Sequence, residues 1–133
     1  MRRPLAWLGV LGCVLGATPG NAAAQSADSL IVTGMRAYKN LEFDAATLLL
    51  RRGVVQLTAA NAPVARRAKG LVYLGAAELF RGRRDSAVAV FRRLVVLDPR
   101  YRPDQLVFPP EVTNVFEAVR LRRALRRITR RRS

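Results

Sequence analysis

The sequence predicts an all-α fold of five helices, and three features of the 133-residue chain indicate it. Apolar residues recur at the 3.6-residue period of a helix and do not alternate as they would in a strand. Prolines and glycines divide these periodic segments into helix-sized lengths. A stretch in the middle of the chain also has a weaker copy of itself upstream, so internal repetition organises the fold. We expect helices near residues 27–40, 43–59, 63–81, 85–97 and 110–128.

Residues 1–24 precede the first helix and are typical of a bacterial export signal. Two arginines supply a positively charged N-terminal region, residues 5–15 form an apolar stretch, and the alanines at 22–24 form a small-residue cleavage site. The apolar stretch is shorter than the roughly 20 residues that a transmembrane helix needs. We expect cleavage after Ala24 and a mature protein in the periplasm or cell envelope. The alternative is a lipoprotein attached through Cys13, which the very short preceding apolar run disfavours.

The mature chain would contain neither cysteine nor histidine, because the single Cys is Cys13 and the sequence has no His. This composition removes the ligands of common zinc, copper and haem sites and the usual general bases. Most of the nine carboxylates stand at predicted helix starts and ends, where they have a structural use. We therefore expect no catalytic residues, no cofactor and no metal, and a protein that is not an enzyme.

The clearest helix-turn-helix pattern covers residues 68–101. It contains a Leu-Gly pair, a small residue, a turn glycine, an alanine and an aromatic residue in the second helix, and a closing Leu-Asp-Pro. These positions are Leu74, Gly75, Ala77, Gly82, Ala87, Phe91, Leu97, Asp98 and Pro99. The segment resembles a tetratricopeptide repeat (TPR), a unit of about 34 residues. It departs from that family at Leu71, Glu78, Arg84 and Leu94. Apolar spacing agrees with two short helices, and Gly82 can adopt the left-handed helix end.

The upstream copy is offset by 41 residues from this segment. Gly34, Phe43, Asp44 and Ala46 correspond to Gly75, Arg84, Asp85 and Ala87. Leu41 occupies the turn-glycine position, and the closing proline is absent. The offset exceeds the TPR length by seven residues, which fit around residues 59–65, where Pro63 predicts a helix start. The resemblance implies two stacked TPR-like helix pairs.

Two stacked pairs leave one apolar face uncovered, and repeat arrays generally require a terminal cap. The fifth helix is expected to supply it, beginning after two prolines with Glu111 in its first turn. Its apolar stripe consists of Val112, Val115, Phe116 and Val119. Residues 100–108 before this helix are expected to form an extended loop laid over the repeat. The repeat domain with its cap would cover residues 25–119.

Residues 120–133 form an Arg-rich amphipathic tail that holds much of the formal net charge of +15. Its basic residues are Arg120, Arg122, Arg123, Arg126, Arg127, Arg130, Arg131 and Arg132. Leu121, Leu125 and Ile128 lie opposite the capping stripe on a helical wheel. Three interpretations stay open: a solvated, frayed end, contact with an anionic membrane or acidic envelope polymer, and binding of an acidic partner protein. Export makes nucleic acid an unsuitable partner in the cell, although basic charge alone would bind it in solution.

The TPR resemblance implies a curved groove, lined by the first helix of each pair, that holds a partner peptide or helix. The positions carried over are Asp28, Ile31, Met35, Tyr38, Lys69, Val72, Ala76 and Leu79. Tyr38, Lys69 and Met35 are the best candidates for partner contact. For Val72, Ala76 and Leu79, packing against the cap helix or a second copy of the chain is an equal alternative. The expected function is a protein-protein interaction module, or scaffold, of the cell envelope. The alternative is a peripheral binder of an anionic membrane or acidic envelope polymer through the tail.

Overall fold

The computed structural model describes residues 19–132, and this part of the chain contains five α-helices and no strand. The helices are α1 (Pro19–Lys39), α2 (Phe43–Ala59), α3 (Val64–Phe80), α4 (Arg84–Leu97) and α5 (Pro110–Arg132). The prediction of an all-α fold is confirmed for these residues. Most of the predicted export signal, residues 1–18, lies outside them. Helix α1 begins earlier than expected and includes the junction after Ala24 at which cleavage was predicted.

Each helix packs against the next one along the chain, and α1 and α5 each also touch α3. Residues 40–42 join α1 to α2, and residues 81–83 join α3 to α4. Connections this short place the two helices of each pair antiparallel, as αα-hairpins. Apolar side chains from all five helices form one buried cluster. The molecule is therefore two helical hairpins side by side, with α5 laid against the second.

The two hairpin turns have the same backbone geometry. Leu41 and Gly82 both have positive φ, 63° and 77°. In each turn the N–H of this residue donates to the carbonyl three positions back, and the next N–H donates to the carbonyl five positions back. This is the Schellman ending of a helix, which favours glycine because a Cβ is strained at positive φ. The expected left-handed geometry of Gly82 is confirmed, and Leu41 adopts it without being a glycine.

Helix contacts inside the two hairpins also correspond at the 41-residue offset. A Cβ at Gly34 would overlap the side chain of Leu50, and one at Gly75 would overlap the ring of Phe91. Leu50 and Phe91 are themselves 41 positions apart, and both are fully buried. The helix starts at Phe43 and Arg84 have the same offset. A glycine on the first helix of each hairpin thus lets the second helix approach closely.

Residues 98–109 cross from α4 to α5 without helix or strand and lie over the helices, as expected. Asp104 shapes this linker, because its side chain accepts the N–H of Leu106 (2.8 Å) and its carbonyl accepts the N–H of Phe108 (2.8 Å). Phe108 is 3% exposed, and its ring lies 4.9 Å from that of Tyr73 on α3. The linker therefore contributes directly to the core.

The first half of α5 packs against the second hairpin through its apolar stripe. Its apolar stripe is buried, at Val112, Val115, Phe116 and Val119. The Phe116 ring packs edge-on against Phe91 of α4, with centroids 5.7 Å apart. No residue of α5 beyond Val119 is buried in the described chain, yet the helix continues to Arg132, past its expected end near residue 128.

Candidate functional site

The eight predicted groove residues fall into a buried set and an accessible set. Tyr38 is 8% exposed, Ile31 5%, Val72 1% and Ala76 0%, so these four belong to the core. The assignment of Tyr38, Val72 and Ala76 to a partner-binding surface is wrong, and Ile31 contributes only a buried side chain to the lining of the cavity described below. Leu79 is half-buried beside the start of α5, where it lines a shallow depression together with Val115. For Leu79 the structure thus agrees with the alternative of contact with the cap helix.

Tyr38 is enclosed by other aromatic side chains. Its ring centroid lies 5.4 Å from Tyr73, 5.7 Å from Phe43, and 6.2 Å from both Phe80 and Phe108. Burial, followed by the nearby Tyr73, raises the pKa of Tyr38 to about 12. The sequence suggested a free surface here because the first helices carry the expected spacing. The chain's own linker covers that surface by inserting Phe108.

The other half of the α1–α3 surface remains open. Four of the predicted residues meet there around one cavity of about 200 Å³: Asp28, Ile31, Met35 and Lys69. Val32, Leu57 and Arg66 complete its lining, and we call it the α1–α3 cleft. Arg66 of α3 reaches Asp28 of α1 with Nη1 and Oδ2 3.2 Å apart. The cleft therefore has an apolar floor with charges of both signs at its edge.

A buried carboxylate that sequence reasoning did not select lies on α3. Glu78 is fully buried and accepts a hydrogen bond from Arg51 of α2 (2.5 Å) and a longer one from Arg81 (3.5 Å). Arg81 also binds Asp44 of α2, with Nε and Oδ1 2.6 Å apart. Charged hydrogen bonds are among the stronger ones in proteins. This network links the two hairpins. In the sequence, Glu78 was notable only as a departure from the TPR pattern.

The second half of α5, residues 120–132, presents the basic tail as a helix on the surface. Its apolar residues are more than half exposed: Leu121 54%, Leu125 63% and Ile128 52%. Arg120 pairs with Glu117 at 2.7 Å, and Glu117 is the last acid of the chain. From Arg120 to Arg132 the helix therefore combines an exposed apolar stripe with basic charge that no acid of the same segment balances.

Between α4 and this basic segment lies a second cavity of about 200 Å³, which we call the α4–α5 cleft. It is lined by four valines and four arginines: Val88, Val95, Val96, Val119, Arg92, Arg122, Arg123 and Arg126. None of the acids in the chain lines it. The Nε of Arg123 is buried without a hydrogen-bond partner. The helical wheel placed three of these arginines on one side of α5, but no pattern in the sequence indicated that Arg92 would lie near them.

Over residues 19–132 no group of three or more His, Cys, Asp or Glu side chains is arranged to hold a metal ion. None of the described helices is both long and apolar enough to cross a membrane.

Comparison with protein-family models, with curated proteins and with solved structures found no match to this chain.

Proposed function

We propose that this protein is a short, non-enzymatic helical-repeat module of the TPR-like type, exported to the bacterial cell envelope. The two hairpins support the repeat assignment, since their helix starts and close glycine contacts correspond at the 41-residue offset. The capping half of α5 supports it too, because a repeat array needs a terminal helix over its last apolar face. The composition of residues 1–24 supports export.

The surface through which the module works is, in this proposal, the basic second half of α5, and its target is an anionic membrane surface. One observation carries this choice: the helix extends beyond its last buried residue, Val119, with exposed Leu121, Leu125 and Ile128 beside arginines, in a segment that contains no Asp or Glu. A helix of this kind lies in a lipid interface with its apolar face among the acyl chains and its cations near the headgroups. Each arginine near an anionic surface contributes about 1 kcal/mol, an attraction that salt screens.

Membrane binding is favoured if the basic segment is already helical, and a frayed, solvated segment would first have to form a helix. Nucleating a helix is unfavourable, and isolated helices shorter than about 12 residues are marginal in water. The basic segment avoids that nucleation cost because it continues from the packed first half of α5. The packed part of the protein therefore keeps the basic segment helical before binding, which reduces the conformational entropy lost when it binds.

The test is sedimentation with vesicles of phosphatidylglycerol and of phosphatidylcholine at low and high salt. We expect the full-length protein to sediment only with the anionic vesicles at low salt, and deletion of residues 120–133 to abolish this. Replacing the apolar stripe, Leu121, Leu125 and Ile128, by serine should weaken binding at least tenfold. Serine at Leu48 and Val55, which are equally exposed on α2, is the matched control and should leave binding unchanged. Full binding by the deletion variant would refute the proposal.

The second candidate function is capture of a partner polypeptide in the α1–α3 cleft. It is favoured by the meeting of Asp28, Ile31, Met35 and Lys69 around one open cavity. The cleft covers only the part of the expected groove that Phe108 leaves open, so it suits a short peptide segment.

Affinity capture from envelope extract distinguishes this candidate from membrane binding. Lys69→Glu should remove a captured protein, while Lys39→Glu, the same charge change outside the cleft, should not. Deletion of residues 120–133 should leave the capture intact. If no protein is captured by any form of the chain, the candidate fails.

A further inference from the structure

We propose that the α4–α5 cleft binds an acidic segment of a partner protein, in which carboxylate side chains alternate with apolar ones. The proposed membrane attachment uses the opposite side of α5, so this inference goes beyond that function and does not rest on it.

The cleft faces away from the exposed apolar stripe of α5. It lies on the side of the helix that carries Val119, the last residue of the capping stripe, and Leu121, Leu125 and Ile128 do not line it. On a helical wheel the exposed stripe points in the opposite direction. A membrane that holds the stripe would therefore leave the cleft open to a second binding partner.

The charge of the cleft indicates an anionic ligand. Four arginines line it, Arg92 of α4 and Arg122, Arg123 and Arg126 of α5, and no acid of the chain does. Within residues 19–132 none of these four arginines forms an ion pair. Like charges around one cavity repel each other unless an anion neutralises them.

Carboxylates suit these arginines. Arg92, Arg122 and Arg126 are exposed, so their guanidinium groups are accessible to a ligand. A guanidinium donates two parallel N–H bonds to one carboxylate, a geometry that lysine cannot provide. Clusters of arginine are accordingly a recurring means of recognising acidic segments of other proteins.

The valines of the cleft indicate that the ligand also carries apolar groups. Val96 is 58% exposed and Val88 is half-buried. Removing such apolar surface from water is favourable. An inorganic anion would leave these valines in water, whereas an aliphatic side chain would cover them. Arginines and valines in one cavity therefore match a peptide with both acidic and aliphatic side chains.

The length of the cleft agrees with a short peptide segment. The lining runs along α4 from Val88 to Val96 and along α5 from Val119 to Arg126. At the helical rise per residue, each of these stretches is about 10 to 12 Å long. An extended peptide covers that length with about four residues. A second copy of the chain is a poorer occupant, because its own formal net charge of +15 opposes the approach.

The test is fluorescence anisotropy of the full chain with a labelled peptide of alternating glutamate and leucine. Two analogues are measured in parallel, one with glutamine in place of glutamate and one with serine in place of leucine. We expect saturable binding of one glutamate-leucine peptide per chain, and at least tenfold weaker binding of both analogues. Absence of saturation, or equal binding of the serine analogue, would overturn the inference.

Substitutions in the cleft locate the binding site. Arg92→Gln should weaken peptide binding about tenfold. Arg93→Gln removes the same charge from the adjacent residue of α4, which does not line the cleft, and should change the affinity less than twofold. Val96→Ser should weaken binding about threefold, whereas Val55→Ser, at an equally exposed position of α2, should leave it unchanged. Equal losses in Arg92→Gln and Arg93→Gln would show that net charge alone attracts the peptide, which contradicts a specific cleft.

Vesicle sedimentation distinguishes the peptide site from a lipid site. Because Arg92 lies outside residues 120–133, Arg92→Gln should bind phosphatidylglycerol vesicles within twofold of the wild type. If this variant loses vesicle binding as strongly as peptide binding, the cleft is a lipid site and the inference is wrong. If vesicle binding survives deletion of residues 120–133 while Arg92→Gln still weakens peptide binding, the proposed function fails and the peptide site stands.

Discussion

The hairpins α1–α2 and α3–α4 share one backbone design but differ in the side chains that complete it. The left-handed turn position holds Leu41 in the first and Gly82 in the second. The residue facing the close-approach glycine is Leu50 in the first and Phe91 in the second.

A further pair, Ala37 and Glu78, is equally informative, because both are buried at the 41-residue offset although only one is charged. Glu78 is tolerated there because Arg51 and Arg81 bind its carboxylate. The two hairpins therefore share backbone geometry and burial at these positions. Their side chains differ, and at Glu78 the neighbouring helix α2 supplies the matching partner, Arg51.

The largest effect should follow from Glu78→Ala. The change creates a cavity and removes two charged hydrogen bonds, and we expect the free energy of unfolding to fall by about 3 kcal/mol. Because Arg51 is 61% exposed, its freed guanidinium can be solvated, which keeps the loss below that of a fully buried pair. Urea unfolding measures it, with the exposed Glu42→Ala as a control that should change stability by less than about 0.5 kcal/mol. A loss below 1 kcal/mol in Glu78→Ala would mean that the network contributes little.

The next largest effect should come from alanine substitution of the two close-approach glycines, Gly34 and Gly75, with a different loss of stability in each hairpin. Gly75→Ala forces a methyl group against the Phe91 ring, which Phe116 holds on another side, and we expect a loss of about 2 kcal/mol. Gly34→Ala meets the flexible side chain of Leu50, and the gain in helix propensity offsets part of the strain, so the loss should stay below about 1 kcal/mol. Chemical denaturation of both variants checks the order, and equal losses would contradict it.

Substitutions at the two turn positions, Leu41 and Gly82, should change the free energy of unfolding in opposite directions. Leu41→Gly relieves a positive φ in an exposed side chain and should raise the free energy of unfolding by about 1 kcal/mol. Gly82→Ala introduces the same strain into the second hairpin and should lower it by a similar amount. Thermal unfolding of the two variants and their double mutant measures this. Destabilisation by Leu41→Gly would show that the Leu41 side chain makes a contribution to stability that its exposure does not reveal.

The smallest change in the free energy of unfolding at neutral pH is expected for a substitution of Tyr38. Its counterpart in the second hairpin is Leu79, which does not titrate. The pKa of Tyr38 is raised to about 12 in the folded chain, above the ordinary value of 10.0 in the unfolded one. The stability that this shift contributes is therefore fully present below pH 10 and is lost as the pH rises towards 12. Burial likewise raises the pKa of Tyr101 to about 12 and that of Tyr73, so both act in the same direction.

Tyr38→Phe should leave stability almost unchanged at neutral pH and reduce its loss at alkaline pH. The measurement is the free energy of unfolding in urea at about pH 9 and about pH 11.5 for the wild type and the variant. An unchanged alkaline loss in Tyr38→Phe would assign that loss to the tyrosines of the second hairpin and linker.

The three central helices could be placed from sequence to within one residue at each end. Their limits are local: Pro63 precedes α3, Gly82 follows it, and Pro99 follows α4. The predicted start of α1 and the predicted end of α5 were less accurate. Helix α1 begins at Pro19, and α5 runs on to Arg132, because no proline or glycine terminates it there.

The candidate sites were predicted only in part. The structure brings Asp28, Ile31, Met35 and Lys69 around one cavity, because spacing along α1 and α3 places them on the same side of the two helices. Tyr38 was misplaced because the residue that covers it, Phe108, belongs to a linker distant in the chain. Arg92 was missed because its partners in the α4–α5 cleft lie on another helix.

By itself the sequence determined the all-helical class, the 41-residue correspondence of the hairpins, the apolar stripe of the cap and the basic character of the last segment. Each of these depends on residues within a few turns of one another, where helical periodicity, prolines and glycines act directly. Tertiary structure alone decided that Phe108 of the linker covers Tyr38 and Tyr73, and that Arg92 and three arginines of α5 line one cavity with four valines. Local periodicity shows which face of a helix is apolar, but long-range packing selects the neighbour that covers it.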